Sequence, residues 1–440
     1  GVAAKTNTVS NTAFRGFGGP QGIIGVETMI DTIARELGLD PNEVRAANYY
    51  GDTTGDTTPY DQKIEDNRIE DVVQRVLKAS SWKKRRKEID TFNRKNKVLK
   101  RGLAMMPVKF GISFNLPTLN QAGSLVHVYM DGSVHLNHGG TEMGQGLYTK
   151  VAQVVAEVFG IALDDVKITA TTTGKVPNTS ATAASSGSDL NGAAAFNAAS
   201  EIRARMAKVA AEHFKCKPDD LIFSKGKVRY AKRSISFATL AKDCWFNRVS
   251  LSAAGFYKTP KIHWDAAKLK GRPFFYFTYG AAVSEVVIDT LTGENRCLRT
   301  DIVQDCGKPL NPVIDLGQIE GAFVQGMGWL TCEELWWDDK GKLRTTGPST
   351  YKIPGSRDVP PEFNVEILED KPNREETVFR SKAIGEPPLM LAISVWLALR
   401  DAVSSVSNGK LPANLDAPAT PERVLFSVED MKRRIANSAQ

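Results

Sequence analysis

Stretches of small and polar residues recur along this chain, each standing before an apolar segment of helical period, and that recurrence constrains the fold more than any other feature. Asn11 to Pro20 precedes Ile23, Val26, Met29, Ile30, Ile33 and Leu37; His138 to Gly146 precedes Val151, Val154, Val155 and Val158. Thr171 to Gly192 precedes an alanine-rich run from Ala193 to Phe214; Asp305 to Pro312 precedes Ile319, Phe323 and Met327; Arg380 to Pro388 precedes Leu389 to Val403. Apolar residues three and four apart make a helix face, and Gly, Ser, Asn and Pro clusters break such faces, so the spacing predicts loop then helix each time.

Strands feed three of these loops. Ala122 to Met130 and Ser133 to Asn137 flank Asp131-Gly132, a turn pair suited to positive φ, and Val166 to Ala170 leads into the Thr171 loop. Gly111 to Phe114, Gly280 to Ile288, Cys297 to Gln304 around Thr292-Gly293, and Phe363 to Leu368 are further strands. Asp40-Pro41-Asn42-Glu43 carries the N-cap, Pro and Glu signals of a short helix. The fold class is therefore α+β, with mixed sheets and helices that start at glycine-rich and small-residue loops. Residues 51–100 are polar, with an amphipathic helix near Ile69 to Leu77, and are expected to form a surface excursion. The expected division is a first lobe with that excursion over 1–110 and a second lobe over 111–440.

A chain of 440 residues exceeds what one core usually serves. Its 42% hydrophobic and 24% charged residues are ordinary globular usage, which excludes a mainly disordered chain. No window approaches eighteen consecutive apolar residues and no secretory leader pattern opens the sequence, so the cytoplasm is expected and no membrane partner. The five cysteines are never closer than nine residues apart, which argues against a disulfide framework or an iron-sulfur site in this chain. The net charge of +7 is concentrated at Lys83-Lys84-Arg85-Arg86-Lys87 and the basic residues up to Arg101; with few aromatics among them, this is expected to be a solvated face, not a nucleic-acid surface. Gly1 comes first and the earliest methionine is Met29, so a preceding segment is expected.

Unpaired N–H groups at helix starts carry partial positive charge, so several such loops suit one large anionic ligand. Nucleotide binding is the rival, but Gly140 to Gly146 has neither the GK[ST] ending of a P-loop nor GxGxxG spacing, and Phe17-Gly18-Gly19 follows no clear strand. Glu386 stands before Pro387-Pro388 at a helix entrance. A residue before Pro is steered away from the α region, which fixes where it points; the helix dipole favours its ionised form and burial opposes it. Glu386 is thus a candidate general base, or else a structural N-cap.

Asn11 to Gln21, Lys109 to Phe114, His138 to Gly146, Asp315 to Gly326, Gly347 to Pro354 and Lys382 to Pro388 together resemble the molybdenum domain of the xanthine dehydrogenase family, in family order across nearly the whole chain. The resemblance implies the C-terminal part of a molybdenum-cofactor-binding domain, incomplete at its N-terminus. It implies a pyranopterin-held molybdenum, coordinated chiefly by the dithiolene, which accounts for the missing metal-ligand cluster. Gly144, Gln145, Ala183, Ala184, Ser185 and Gln318 match family positions that hold the pterin and its phosphate, and Arg15 and Ala184 those whose main chain lines the metal. Gly187 stands where many members have serine.

Glu386 matches the family's general base, and Phe17 and Phe114 match two rings that sandwich a flat heterocycle. Asn115 stands where threonine is usual, which affects substrate hydrogen bonding. The implied activity is oxidation of hypoxanthine and xanthine towards urate, with electrons passing to 2Fe-2S clusters and FAD elsewhere. An aldehyde oxidase-like or other N-heterocycle hydroxylase, or a non-catalytic cofactor-binding scaffold, are the alternatives. The implied partners are an upstream molybdenum-domain segment supplying the purine-orienting Glu and Arg, the iron-sulfur and flavin domains, a purine substrate, and a second copy in a dimer of the whole assembly.

Overall fold

Both predicted hairpins form, Asp131-Gly132 with Gly132 at φ 88° and Thr292-Gly293 with Gly293 at φ 76°, and each closes a different sheet. The computed structural model describes residues 4–6, 13–51, 54–174, 178–368 and 371–438; Asn11 and Thr12 of the first loop lie outside them. In chain order the elements are α1 (Gly19–Leu37), α2 (Pro41–Ala46), α3 (Ile69–Ala79), α4 (Trp82–Lys95), β1 (Leu99–Ile112), β2 (Gln121–Val128), β3 (Val134–His138), α5 (Leu147–Phe159), β4 (Val166–Ile168) and α6 (Gly187–Phe214). They continue with β5 (Ile222–Ser224), β6 (Lys227–Tyr230), β7 (Arg233–Ser236), α7 (Phe237–Phe246), β8 (Ser252–Lys258), β9 (His263–Asp265), β10 (Lys270–Arg272), β11 (Tyr276–Asp289) and β12 (Asn295–Asp305). The last are α8 (Pro312–Thr331), α9 (Pro348–Tyr351), β13 (Glu362–Leu368), α10 (Pro387–Leu391), α11 (Ile393–Ser404) and α12 (Pro421–Ser438).

One sheet has the order β1-β11-β12-β13, antiparallel except for the parallel β12/β13 pair. Side chains alternate across β1, so Ala104, Met106 and Val108 join a core under α8, α10 and α11, while Leu103 and Met105 face α3 on the other side. Both faces are covered, which is why the strand reads as a nearly continuous apolar run; only Gly111 to Phe114 was legible as strand in the sequence. β1 also crosses residue 110, so a strand runs through the expected lobe boundary.

The second sheet, β4-β3-β2-β8, packs Val126, Val134 and Leu136 against Val151 and Val155 of α5 and Ala198, Ile202 and Met206 of α6. The alanines of α6 permit close approach: a Cβ on Gly255 of β8 would stand 2.0 Å from the Ala194 carbonyl oxygen. Gly102 of β1 does the same under α11, 1.9 Å from the Ala398 carbonyl oxygen. A three-stranded meander, β5-β6-β7, and the β9-β10 ribbon are smaller additions.

Three features depart from the sequence expectations. Residues 51–100 supply buried Ile64, Val72, Val73, Val76 and Ile89 to the core beneath the first sheet, and Arg85 of the basic run is buried on Glu285 and Asp301. Burial of each large aliphatic contributes about 1.5–3 kcal/mol, so α3 and α4 are core elements with a polar outer face. Helix α6 starts at Gly187, six residues before the expected Ala193, because Asp189 suits the first turn and Gly192 lies inside the helix within contact range of Val378 and Val154. The final apolar helix is divided at Ala392 into α10 and α11. The stretch 387–407 is long and apolar enough to cross a membrane, but most of it is buried in this core.

Helix α1 is inverted. It buries Glu27 against Arg45 at 2.7 Å and Asp31 against Arg35 and Arg400, while Val26, Met29, Ile33 and Leu37 are 54, 61, 45 and 65% exposed.

Candidate active site

A cavity of about 1040 Å³ opens where the two sheets' loops meet the N-terminal turn. Arg15, Phe17, Phe114, Asn115, Gly144, Gln145, Ala183, Ala184, Ser185, Gln318 and Glu386, every site residue singled out in the sequence, line this one space. They come from six chain segments, so the convergence is a property of the fold and not of sequence proximity.

Glu386 sits at the entrance of α10, but not as expected. Its φ of −93° and ψ of −42° are α-region values, and its side chain makes no capping bond. The carboxylate is bonded to Ser185 instead: Ser185 Oγ donates to Glu386 Oε2 at 2.7 Å, and Ser185 Oγ itself accepts from the Glu386 N–H at 2.8 Å. Burial raises the Glu386 carboxyl above its ordinary range, while the Ser185 hydroxyl, the Gly16 N–H and the Arg15 charge pull it back. The structural N-cap alternative therefore has no bond to support it.

The loop leading to Glu386 is anchored at several points. Lys382 Nζ, fully buried, donates to Asp305 Oδ2 at 2.7 Å and Asp66 Oδ2 at 3.1 Å, and Arg68 holds the other Asp305 oxygen at 3.0 Å. Removing one member of such a pair costs about 3–5 kcal/mol. Further along, the Ala383 N–H donates to the Tyr276 hydroxyl, and Arg15 Nε donates to the Gly385 carbonyl oxygen.

Arg15 reaches across the cavity from a left-handed turn, with Gly16 and Gly18 at φ 92° and Phe17 at φ 45°. Its other nitrogens donate to Gln325 Oε1 at 3.2 Å and Gln318 Oε1 at 3.3 Å on α8, and burial lowers its pKa to about 10 in spite of Glu386. Helix α8 is started by Asn311, whose side chain caps Ile314 N–H, with Pro312 next. Phe17 is 68% exposed on one wall, and Phe114 lies on another, its backbone clamped by Asn120 at 2.9 and 3.0 Å.

The two small-residue loops are not equivalent. At α5 the N–H groups of Gly144, Gly146 and Tyr148 already donate to the Glu142 carboxylate at 2.9, 3.0 and 2.9 Å, so the chain carries its own anion there. Gln145 is likewise engaged within the loop, its amide donating to the Thr141 carbonyl oxygen. The expectation that this helix start offers free donors is thereby corrected. At α6 no side chain caps the first turn, and Gly187 and Ser188 face the cavity together with Ala183, Ala184 and Ser185. Uncapped donors at the end of a 28-residue helix, with Arg15 and Gln318 opposite, suit a phosphate-bearing pterin in size and charge.

Sequence reasoning missed a buried polar wall on the same cavity. Lys150 of α5 pairs with Asp315 of α8, and Asp189 of α6 accepts from Tyr276. These residues are separated by 87 to 165 positions and carry no local motif. Lys109 also lines the cavity, its Nζ 4.1 Å from the centroid of Phe277. Among the described residues there is no cluster of three His, Cys, Asp or Glu side chains able to hold a metal ion.

The molybdopterin cofactor-binding domain family matches residues 75–360, and a second model of that description matches 1–49. The chicken (Gallus gallus) xanthine dehydrogenase/oxidase is 47% identical over 443 residues, spanning 100% of this chain and 31% of the relative. Xanthine dehydrogenase of Blastobotrys adeninivorans is 48% identical, spanning 98% of this chain and 30% of the relative. Among solved structures, quinoline 2-oxidoreductase from Pseudomonas putida 86 superposes with a TM-score of 0.80 at 26% identity, covering 95% of this chain and 53% of that one. The chain thus spans about a third of the length of the curated relatives it matches.

Proposed function

This chain belongs to the molybdopterin cofactor-binding domain family and is similar to xanthine dehydrogenases over its whole length, and from that premise we propose that it forms part of the molybdenum site of a xanthine dehydrogenase-like hydroxylase acting on hypoxanthine and xanthine. The observation that carries this reading is the meeting of Arg15, Phe17, Phe114, Gln318, Ser185 and Glu386 around one cavity of about 1040 Å³. The main chain of Ala183 to Ser188, with Arg15 and Gln318, would hold the cofactor. When bound, the molybdenum-pterin group activates water and accepts two electrons from the substrate.

The residues of this chain do the remaining work. Phe17 and Phe114 present aromatic surface for a flat purine, which orients its reacting carbon at little cost in side-chain entropy. Glu386 takes up a proton at its carboxylate as the oxygen nucleophile forms, a task suited to a carboxyl whose proton affinity burial raises above the ordinary range. Electrons leave through iron-sulfur and flavin centres of the longer polypeptide, which acts in the cytoplasm as a dimer.

The test is Glu386→Gln in the full-length enzyme. Fold and molybdenum content are expected to persist while turnover falls by at least about two orders of magnitude, the scale of a lost general base. Wild-type turnover in a molybdenum-replete variant would remove Glu386 from the chemistry.

A further inference from the structure

We propose that the Ser185 hydroxyl is a positioning group for Glu386, setting both the direction and the proton affinity of its carboxylate; this rests on the reading of Glu386 as the base. The resemblance implies only a cofactor contact for Ser185, whereas its side chain here faces the carboxylate. One hydroxyl binds the same residue twice, donating to Glu386 Oε2 and accepting from the Glu386 N–H, which closes a small ring and leaves that side chain few alternative rotamers.

The backbone around Ser185 is shaped for this contact. Ala184 and Ser185 both have positive φ, 53° and 56°, inside a turn closed by the Ser186 N–H to Ala183 carbonyl bond at 3.2 Å. Two consecutive non-glycine residues at positive φ are unfavourable and persist where surrounding contacts hold them. The facing residue is Gly385, where an added Cβ would stand 3.0 Å from Ser185 Oγ, so the absent side chain lets the two loops close. Arg15 holds the Gly385 carbonyl oxygen as well, so Glu386 is fixed from both neighbouring segments.

Other ionisable groups on the cavity wall are committed elsewhere. Lys150 is paired with Asp315, Lys382 with Asp305 and Asp66, Asp189 with Tyr276, and Lys109 lies over aromatic rings. Among the described residues, Arg15 is the charge that acts on Glu386, and Ser185 is the side chain that hydrogen-bonds to it. A donor to the charged form favours it, so removing the hydroxyl raises the pH at which the base becomes available.

Ser185→Ala and Ser185→Gly in the full-length enzyme separate the hydroxyl from the backbone, because glycine relieves the positive φ and alanine retains it. We expect both variants to keep molybdenum and pterin content, and to move the acid limb of the kcat/KM profile for xanthine upward by about one pH unit, with about a tenfold loss below the new limb. Adding Ser185→Ala to Glu386→Gln should change turnover no further. An unmoved acid limb in molybdenum-replete variants, a wild-type profile in Ser185→Gly alone, or loss of the cofactor in both would each overturn the assignment. If Glu386→Gln keeps full turnover, the base itself fails and Ser185 has nothing to position; if Glu386→Gln is inactive and the limb stays, only the Ser185 assignment falls.

Discussion

The Tyr276 hydroxyl donates to Asp189 Oδ2 at 2.7 Å and accepts from the Ala383 N–H at 2.9 Å, so one phenol ties the first turn of α6 to the loop that ends in Glu386. Tyr276→Phe keeps the ring and leaves the buried Asp189 carboxyl and the half-buried Ala383 N–H without this partner. Each such group costs about 1–3 kcal/mol, so a loss of roughly 2–6 kcal/mol in urea unfolding is expected. A change below about 0.5 kcal/mol would show that the tie contributes nothing.

Burial pushes the Asp189 carboxyl up to about 7, outweighing the pull of Tyr276 and Lys150. Its folded pKa then lies above the unfolded value of about 3.9, so its contribution to stability is full below pH ~4 and is lost as pH rises through 7. Asp189→Asn should flatten that decline and make the protein more stable than wild type at pH 8, as unfolding free energies across this range will reveal. An unchanged slope rejects the burial account.

Asp401 has the opposite sign. Burial alone would raise it, but Arg86, Arg35 and the Leu103 N–H hold it down at about 2. That contribution is present above pH ~4 and disappears as pH falls towards 2. Asp401→Asn should weaken the fold by roughly 2–4 kcal/mol at pH 7, with much less difference from wild type at pH 2; a constant penalty would mean that packing, not charge, is at stake.

Gly102→Ala and Gly146→Val separate frame from loop. The first places a Cβ 1.9 Å from the Ala398 carbonyl oxygen between strand and helix, and should cost several kcal/mol or prevent folding. The second meets the flexible Ile314 side chain at 2.8 Å in a half-buried turn at φ 75°, so the fold should survive with a displaced α5 loop and reduced molybdenum content in the full-length enzyme. Full cofactor content in Gly146→Val would show that this turn is remote from the ligand.

Met29→Glu with Ile33→Glu on α1 should raise the solubility of this segment expressed alone without lowering its melting temperature, since neither side chain is packed in the present structure. A drop of more than a few degrees would place them in a core.

What the sequence made legible were features written locally. Turn pairs such as Asp131-Gly132 need particular residues at adjacent positions, and so do the loops before α5, α8 and α10. The grouping of Arg15 with Glu386 followed from the family resemblance, not from any pattern in the residues. The Ser185 clamp, the Lys150 to Asp315 pair and the Tyr276 tie were hidden because hydrogen bonds between segments 87 to 201 residues apart leave no period or spacing behind. Residues 51–100 were misread for a related reason: one face of α3 and α4 is charged, and composition averages over faces. The pre-proline rule failed at Glu386 because tertiary bonds from Ser185 and Arg15 outweigh a local steric preference.

Where Gly102 meets Ala398 and Gly255 meets Ala194, helix and strand touch main chain to main chain. Side chains elsewhere act as a cushion, able to shift rotamer and absorb a neighbour's change. These two seams have none, so a displacement of α11 or α6 passes undamped into β1 or β8, and each helix moves with its strand as one body. The Glu386 loop enters the α10–α11 unit and the Ser185 turn enters α6, which means that the alignment of serine and glutamate inherits its tolerance from two seams built by other residues.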